Sequence, residues 1–378
     1  MALEYPATSS DQSLLEAILA EFDQQRTIYV ALTGYACSLL KDIITSDVAP
    51  LHLITPRPTG SKDRMSLARK LGRPDKNYKA LSDITDIAGV RVTAYFAQDV
   101  NRIAAKIEGE FVVDKKNSID KRVPSDPDRF GYQSLHYVVS LPEARCALTE
   151  CSRFRGLKFE IQIRSILQHA WAEIEHDLGY QSIFGVPYQV RRRFSRVASL
   201  LELADEEFDR IRGELKSYEH AIPADIASSP EKVGIDKISL RALVGLTSST
   251  THQLSADIAR LFGLGLVPAT DDELEKFAHQ LSYAGVKTIA DVERAAKAER
   301  EVAIRYVRET ISAIAMRGVT EALGLALLSQ ILLARSPGKL YEYVIKTTKQ
   351  GQHIDPHGFV QVQSSTIKRI TEEIQAGH

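Results

Sequence analysis

Residues 157–164 read Leu-Lys-Phe-Glu-Ile-Gln-Ile-Arg, and this stretch decides how the first half of the chain folds. Every second residue from Phe159 onward is apolar, which predicts a β-strand with one buried face. The opposite face carries an acid, an amide and a base in succession, Glu160, Gln162 and Arg164. An ordinary half-buried strand exposes solvated residues there, so this face is a candidate for chemistry.

Directly after this strand the apolar residues change to helical spacing, at Leu167, Ala170, Trp171, Ile174 and Leu178. The strand with the reactive face therefore leads straight into a helix.

The composition is that of a globular protein in a reducing compartment. Of 378 residues, 44% are hydrophobic and 26% are charged, the formal net charge is −1, and there are three cysteines. So small a charge attracts neither DNA nor an anionic membrane, and so few cysteines suit the cytosol. The first residues do not resemble a signal peptide, and no apolar run reaches the ~18 residues of a membrane span. We expect a cytoplasmic protein without membrane or DNA partners.

The length of the chain, together with an aperiodic segment that contains proline and serine, predicts two domains. Residues 1–218 form the first, residues 219–236 form a linker that contains proline and serine and lacks periodicity, and residues 237–378 form a mainly helical second domain. Short strands are expected near 340–345 and 359–362.

Caps mark one helix of the second domain. Thr270 and Glu273 have the spacing of a capping box before an apolar run, and Gly285 is expected to end that helix.

A second strand is predicted over residues 90–96, with Asp86 at its mouth and Arg91 on its polar face. A helix over 97–110 and a short strand at 111–113 follow. The order strand, helix, strand is typical of a mixed α/β layer fold.

Two basic stretches are candidate anion sites. Residues 54–66 form a loop that opens a helix carrying Lys62, Ser66 and Lys70, where unpaired N–H groups and cations point the same way. Residues 114–130 form a second basic loop. Either stretch can also be a solvated turn, and neither has the Walker A pattern.

Beyond the second loop, Tyr132 stands at the entrance of a strand whose polar face carries His136. An aromatic residue beside a cationic loop can stack on a nucleobase, although a lone tyrosine is more often part of a core.

These strands bring acids and cations to one edge of the sheet. Asp86 and Glu160, on separate strands, can hold Mg²⁺, and flanking cations can neutralise a polyphosphate. The set suits phosphoryl-type transfer, in which positioning and charge stabilisation dominate. The alternative is two strand-end acids paired with nearby arginines.

The motifs that contain these residues closely resemble, in order and spacing, those of the RelA/SpoT synthetase domain. They are residues 83–92, 131–137, 160–164 and 168–178. Residues 193–208 also resemble the helix that closes the small single-domain synthetases. The resemblance covers roughly residues 10–215 and does not extend to 237–378.

The resemblance implies a nucleotidyltransferase-like α+β fold, in which a mixed β-sheet is flanked by helices. It also implies transfer of the β,γ-pyrophosphate of ATP to the 3′-hydroxyl of GDP or GTP, making the stringent-response alarmone (p)ppGpp. It implies that Asp86 binds Mg²⁺ and that Glu160 completes the metal site or activates the hydroxyl. The ATP contacts that it implies are Lys62, Ser66, Lys70 and Arg91. The acceptor contacts that it implies are Tyr132, which stacks on guanine, with His136, Gln162, Arg164, Lys121 and Arg129.

One departure concerns the first basic loop, where the family usually has Arg-x-Lys. A glycine, Gly60, stands in place of that arginine before Lys62, and Arg57 precedes it by three residues. We expect Arg57 to serve the ATP site from a longer loop.

Two other readings are weighed against the resemblance. His176 and Asp177 form the dipeptide of an HD hydrolase, but that domain precedes the synthetase in long relatives, so we expect no hydrolase activity. His169, Glu173 and His176 share a helix face that could bind zinc, but their order differs from HExxH.

The main alternative function is that of a toxin-type relative, which transfers pyrophosphate to the 3′ end of tRNA. The basic residues of 191–196 could begin a tRNA footprint. In an alarmone synthetase the second domain would regulate the enzyme or mediate its assembly, whereas in a toxin-type relative it would be a neutralising or sensing module. A binding protein with a decayed site is a third reading, which the presence of both acids argues against. A homo-oligomer is also compatible with the family.

Overall fold

A computed structural model describes residues 9–57, 61–73, 78–120, 122, 134–178, 187–310, 318–347 and 355–377, with side chains described from residue 12 onward. The chain divides into two compact units, Met1–Arg212 and Gly213–His378.

The first unit alternates helices and strands. Its helices are α1 (Ser9–Ile43), α2 (Arg64–Leu71), α3 (Asp99–Glu110), α4 (Glu143–Cys146), α5 (Ile166–Asp177) and the first part of α6 (Tyr188–Ser228). Its strands are β1 (Leu51–Pro56), β2 (Ala88–Ala94), β3 (Val112–Val113), β4 (Ile119–Asp120), β5 (Leu135–Ser140) and β6 (Phe159–Ser165).

These strands form one mixed sheet in the order β1-β2-β6-β5-β3, with β4 beside β5. The central pair, β2 and β6, is parallel, and the β1–β2, β5–β6, β3–β5 and β4–β5 pairs are antiparallel. The prediction of a mixed sheet flanked by helices is confirmed, and the opening stretch lies at its centre.

Alternation along β6 determines which of its faces is buried. Phe159, Ile161 and Ile163 are fully buried in a core that also takes side chains from α1 and α3. Because side chains alternate along a strand, this burial directs Glu160 and Gln162 to the opposite face.

Helix α5 begins immediately at the end of β6. The Ser165 hydroxyl accepts a hydrogen bond from the Gln168 N–H at 3.1 Å, and the Gln168 side chain accepts one from the Ser165 N–H at 2.9 Å. This capping box fixes the phase of α5 relative to the strand.

Polar contacts hold the first part of α6 against the sheet. The Ser165 hydroxyl donates to Asp205 Oδ2 at 2.6 Å, and Arg212 Nη1 donates to the fully buried Asp99 at 2.8 Å. The Gln98 N–H donates to Asp209 at 3.1 Å.

The second unit is mainly helical, as predicted. After the end of α6 it contains α7 (Lys237–Gly245), α8 (Thr250–Leu261), α9 (Asp271–Ala284), α10 (Ile289–Thr310), α11 (Leu323–Ala334), α12 (Pro337–Thr347) and α13 (Pro356–Gln375). A two-residue parallel pair, β7 (Leu266–Val267) and β8 (Val319–Thr320), completes the described part.

The caps predicted for α9 are confirmed. Thr270 and Glu273 form the capping box, and Gly285 ends the helix in the left-handed region at φ 99°. A residue with a side chain would be strained in that conformation.

The predicted linker, 219–236, needs correction. Helix α6 continues to Ser228 with Pro223 inside it. Ile222 and Ile226, one helical turn apart, are buried in the core of the second unit. The proline and serines concealed this short apolar repeat, so the segment is part of the second unit.

The two strands expected near the end of the chain were also wrong. Residues 340–345 lie in α12, which buries Leu340, Tyr343 and Val344 at helical spacing. Residues 359–362 lie in α13. The β-favouring side chains in both stretches were outweighed by packing against neighbouring helices.

Among the described residues, none of the helices has the length and apolarity needed to cross a membrane.

Candidate active site

The first part of the site is Asp86, which lies two residues before β2 and is half-buried. Lys70 Nζ on α2 lies 2.7 Å from its Oδ1, and Lys62 Nζ, two residues before α2, lies 3.1 Å from its Oδ2. The Lys62 N–H also donates to the carbonyl of Ile87 at 2.8 Å, which anchors the basic loop beside the strand.

Electrostatics keep this cluster charged. Burial alone would raise the pKa of Asp86, but the two lysine ammonium groups outweigh it and lower that pKa. Burial lowers the pKa of Lys62, and the charges of Arg57 and Lys70 act in the same direction, opposed by Asp86. The carboxylate is therefore ionised at neutral pH.

The second part of the site is Glu160 on β6. Its Oε1 lies 2.8 Å from His136 Nδ1 on β5, and its Oε2 accepts a hydrogen bond from Gln162 Nε2 at 2.8 Å. Burial, together with the charge of Asp86, would raise the pKa of Glu160, but the contacts with His136 and Gln162 outweigh both and lower that pKa.

His136 has a second contact that holds its ring. Its Nε2 lies 2.7 Å from the hydroxyl of the fully buried Ser134, so Ser134, His136 and Glu160 form a continuous chain. The resemblance implies that His136 contacts the acceptor, and Ser134 is not part of that expectation, because nothing in the local pattern shows what faces an imidazole across a sheet.

Arg57 directly follows β1 and its side chain lies in the site, while its assignment to ATP stays a prediction. Its N–H donates to the carbonyl of Gly89 at 2.8 Å, and its Nη2 lies 3.6 Å from Glu160 Oε2. The guanidinium occupies the space over Gly89, where a Cβ would lie 3.3 Å from Arg57 Nε.

Arg57 and Arg91 border one small pocket of about 90 Å³. Its lining residues are Pro56, Arg57, Gly89, Val90, Arg91, Glu160 and Gln162.

Arg91 and Arg164 both contact Glu173 on α5. Arg91 Nη1 lies 2.8 Å and Arg164 Nη2 3.3 Å from Glu173 Oε1. Arg164 is only 1% exposed and its guanidinium faces this carboxylate, while its assignment to the acceptor stays a prediction. Sequence analysis considered Glu173 only as a zinc ligand with His169 and His176. Among the residues described, no group of three acids, histidines or cysteines is arranged to hold a metal.

The remaining predicted residues divide into two sets. Ser66 lies on α2 between the two lysines, and its N–H donates to the capping Asp63 at 2.8 Å. Lys121, Arg129 and Tyr132 lie outside the described residues, so their assignment to the acceptor stays a prediction.

The donor set fits Mg²⁺. Asp86 and Glu160 are both ionised and are close enough for the charge of Asp86 to act on Glu160. Mg²⁺ in nucleotide enzymes is bound through one or two carboxylates, with phosphate oxygens and water completing the octahedron.

Comparison with known proteins gives the family. The region found in RelA/SpoT proteins matches residues 60–183. The GTP pyrophosphokinase YjbM of Bacillus subtilis is 30% identical over 178 residues, which are 46% of this chain and 78% of that protein. The chain belongs to the RelA/SpoT family.

Two further proteins are similar to this RelA/SpoT protein. The GTP pyrophosphokinase YwaC of Bacillus subtilis is 30% identical over 135 residues, 35% of this chain and 60% of that relative. The crystal structure of small alarmone synthetase 1 from Bacillus subtilis covers 52% of this chain and 98% of its own, at 27% identity and a TM-score of 0.44.

Proposed function

We propose that this RelA/SpoT-family pyrophosphotransferase moves the β,γ-pyrophosphate of ATP to the 3′-hydroxyl of GDP or GTP, making (p)ppGpp. The observation that carries the proposal is the arrangement of two ionised carboxylates with different partners. Asp86 is paired with two lysines, whereas Glu160 is held by a histidine and an amide.

The Asp86 side of the site suits the ATP polyphosphate. Lys62 precedes the start of α2 and Lys70 lies in its last turn, and both ammonium groups face Asp86. Lysine ammonium groups bind phosphate, and Asp86 holds these two close together. The guanidinium groups of Arg57 and Arg91, which border the small pocket, can contact the adenosine part of ATP.

Asp86 and Glu160 are the residues that would hold Mg²⁺. When bound, the ion would neutralise charge on the transferred phosphates.

The Glu160 side of the site suits the acceptor. The 3′-oxygen attacks the β-phosphorus of ATP, the bond from that phosphorus to the α,β-bridging oxygen breaks, and AMP leaves. The hydroxyl proton passes to Glu160, which acts as general base. The contact with His136 Nδ1 keeps Glu160 ionised and oriented for this role.

The competing acceptor is the 3′ end of tRNA. Arg192, Arg193 and Arg196, near the start of α6, are exposed. They could begin a basic footprint for RNA. Free GDP or GTP needs only a few cations for its 5′ phosphates, and the basic residues of 114–130 are the candidates for that contact.

The test uses γ-labelled ATP and Mg²⁺ with GDP, GTP, GMP or deacylated tRNA in separate reactions. We expect label on GDP or GTP. Label on tRNA alone would replace the proposed acceptor, and label on none of them would refute the transfer.

Two substitutions then test the site. Asp86→Asn and Glu160→Gln should each lower transfer by about a thousand-fold or more, because each removes a charge required in the transition state. The matched control is Asp83→Asn, three residues before Asp86, whose carboxylate accepts from backbone N–H groups of 79 and 80. It should retain activity within about three-fold. Activity in both site variants would show that the carboxylates are misassigned.

A further inference from the structure

Glu173 lies where two strands bring two arginines together. Its Oε1 is 2.8 Å from Arg91 Nη1, 3.3 Å from Arg164 Nη2 and 3.7 Å from His169 Nδ1. One carboxylate oxygen therefore faces three nitrogen-bearing side chains.

The sheet register explains why the arginines meet. In the parallel pair, Arg91 on β2 is aligned with Gln162 on β6, and Thr93 is aligned with Arg164. Arg91 and Arg164 are thus diagonal neighbours on one face of the sheet. Helix α5, phased by its capping box, brings Glu173 over them about two turns from its start.

Charge makes this contact consequential. Arg164 is 1% exposed, and a buried guanidinium requires a counter-charge. Burial and the charges of Arg164 and Arg91 lower the pKa of His169, so its imidazole is neutral at pH 7 and Glu173 faces two permanent cations. Without the carboxylate, the two guanidinium groups would repel each other across the strands.

Arg91 links this cluster to the pocket. It borders the pocket with Arg57 and Glu160, and its side chain is 32% exposed, whereas that of Arg164 is 1% exposed. Glu173 itself is 55% exposed, so it contributes little to packing.

We propose that Glu173 is a positioning residue that fixes the Arg91 guanidinium at the edge of the ATP pocket, with Arg164 as its buried support. The inference rests on the proposed function, in which Arg91 contacts ATP. Glu173 does not touch the reacting atoms, so its loss should affect ATP binding more than chemistry.

The test is Glu173→Gln, which keeps the size of the side chain and removes its charge. We expect the KM for ATP to rise about ten-fold, with kcat and the KM for the guanine nucleotide changed by less than about three-fold. Calorimetry with a non-hydrolysable ATP analogue should show the same loss of affinity without requiring transfer.

A double-mutant cycle shows whether Glu173 acts through Arg91. In an Arg91→Ala background, Glu173→Gln should change affinity for the ATP analogue by less than about two-fold. A full ten-fold loss in that background would overturn the proposal, as would a kcat defect with unchanged KM for ATP.

Two further variants keep the test decisive. Glu173→Asp retains the counter-charge for Arg164 and should fold even if the glutamine variant does not. Its shorter side chain should weaken ATP binding by several-fold, and wild-type affinity in this variant would refute the proposal. Asp177→Asn, on the same helix and exposed, should bind the analogue as the wild type does.

Failure of the proposed function has a different signature. If the wild-type protein binds the ATP analogue but labels no guanine nucleotide, the acceptor assignment fails. The cycle between Glu173 and Arg91 still measures positioning in that case.

Discussion

Arg57 depends on the absence of a side chain at Gly89. The guanidinium lies over the glycine, and a Cβ there would be 3.3 Å from Arg57 Nε and 3.4 Å from Nη2. Those distances are tighter than ordinary contact, so a methyl group must displace the arginine. The missing side chain at Gly89 leaves room for the guanidinium of Arg57, which stands three residues before the usual sequence position of this arginine.

Gly89→Ala should therefore act through Arg57. We expect the KM for ATP to rise about three- to ten-fold, with stability changed by about 1 kcal/mol or less, because a side chain rather than backbone must move. Steady-state kinetics and thermal unfolding measure both.

The control for this change lies on α3. Gly109→Ala adds a methyl group to a helix where nothing lies within 4 Å, and should stabilise by about 0.5–1 kcal/mol without affecting KM. If Gly89→Ala still raises KM in an Arg57→Ala background, the arginine is not the cause.

At the scale of elements, α6 is attached to the sheet through a buried acid. Asp205 accepts a hydrogen bond from Ser165 at the junction of β6 and α5, and it is 6% exposed. Burial raises the pKa of Asp205 to about 6, with Asp209 adding to the rise and the Ser165 hydroxyl opposing it.

The sign of the pH effect follows from this raised pKa. Between the unfolded pKa of about 3.9 and the folded pKa, the folded protein holds a proton that the unfolded chain has lost. Stability from this group is therefore present at low pH and is lost as pH rises through about 6.

Asp205→Asn should remove that step. As pH rises from 4 to 7.5, we expect the free energy of unfolding of the variant to increase by about 1–3 kcal/mol relative to that of the wild type. The reason is that the asparagine has no charge to bury. Thermal unfolding across this range measures the difference.

A second variant checks the cause. Ser165→Ala should move the step to higher pH, since the hydroxyl favours the ionised form. A stability difference between Asp205→Asn and wild type that does not change with pH would show that Asp205 titrates alike in the folded and unfolded chain.

At the scale of the whole molecule, the proposed catalytic residues lie in the first unit, and the second unit has buried clusters of its own. Asp86, Glu160 and their described partners lie in Met1–Arg212, whereas Gly213–His378 has its own buried clusters. Ile222 and Ile226, near the end of α6, belong to one of the buried clusters of Gly213–His378.

Fragments that each contain one unit should therefore differ in activity and should fold separately. Residues 1–212 should transfer label from ATP, and residues 213–378 should unfold cooperatively in urea without any transfer activity. Residues 229–378 should be less stable than 213–378 by about 2 kcal/mol or more per lost isoleucine. Circular dichroism and the transfer assay make both measurements.

Two results would contradict this division. A folded but inactive 1–212 fragment would show that the site is incomplete within the first unit. Equal stability of fragments 213–378 and 229–378 would show that the end of α6 does not stabilise the second unit.

The sequence by itself determined the sheet, the strand–helix junction after Arg164 and most of the acids and cations of the site. Period-2 and period-3.6 patterns are local, and burial of one face follows from them. The caps of α9 were equally readable, because a capping box lies within four residues.

Only the tertiary structure decided which of these residues touch. Lys62 and Lys70 meet Asp86, His136 meets Glu160, and Glu173 meets Arg91 through register and helix phase, which a local pattern does not specify. For the same reason the end of α6 was mistaken for a linker. The burial of its two isoleucines becomes visible only once the buried cluster of the second unit is known. Burial depends on the partners that surround a residue as well as on the residue itself.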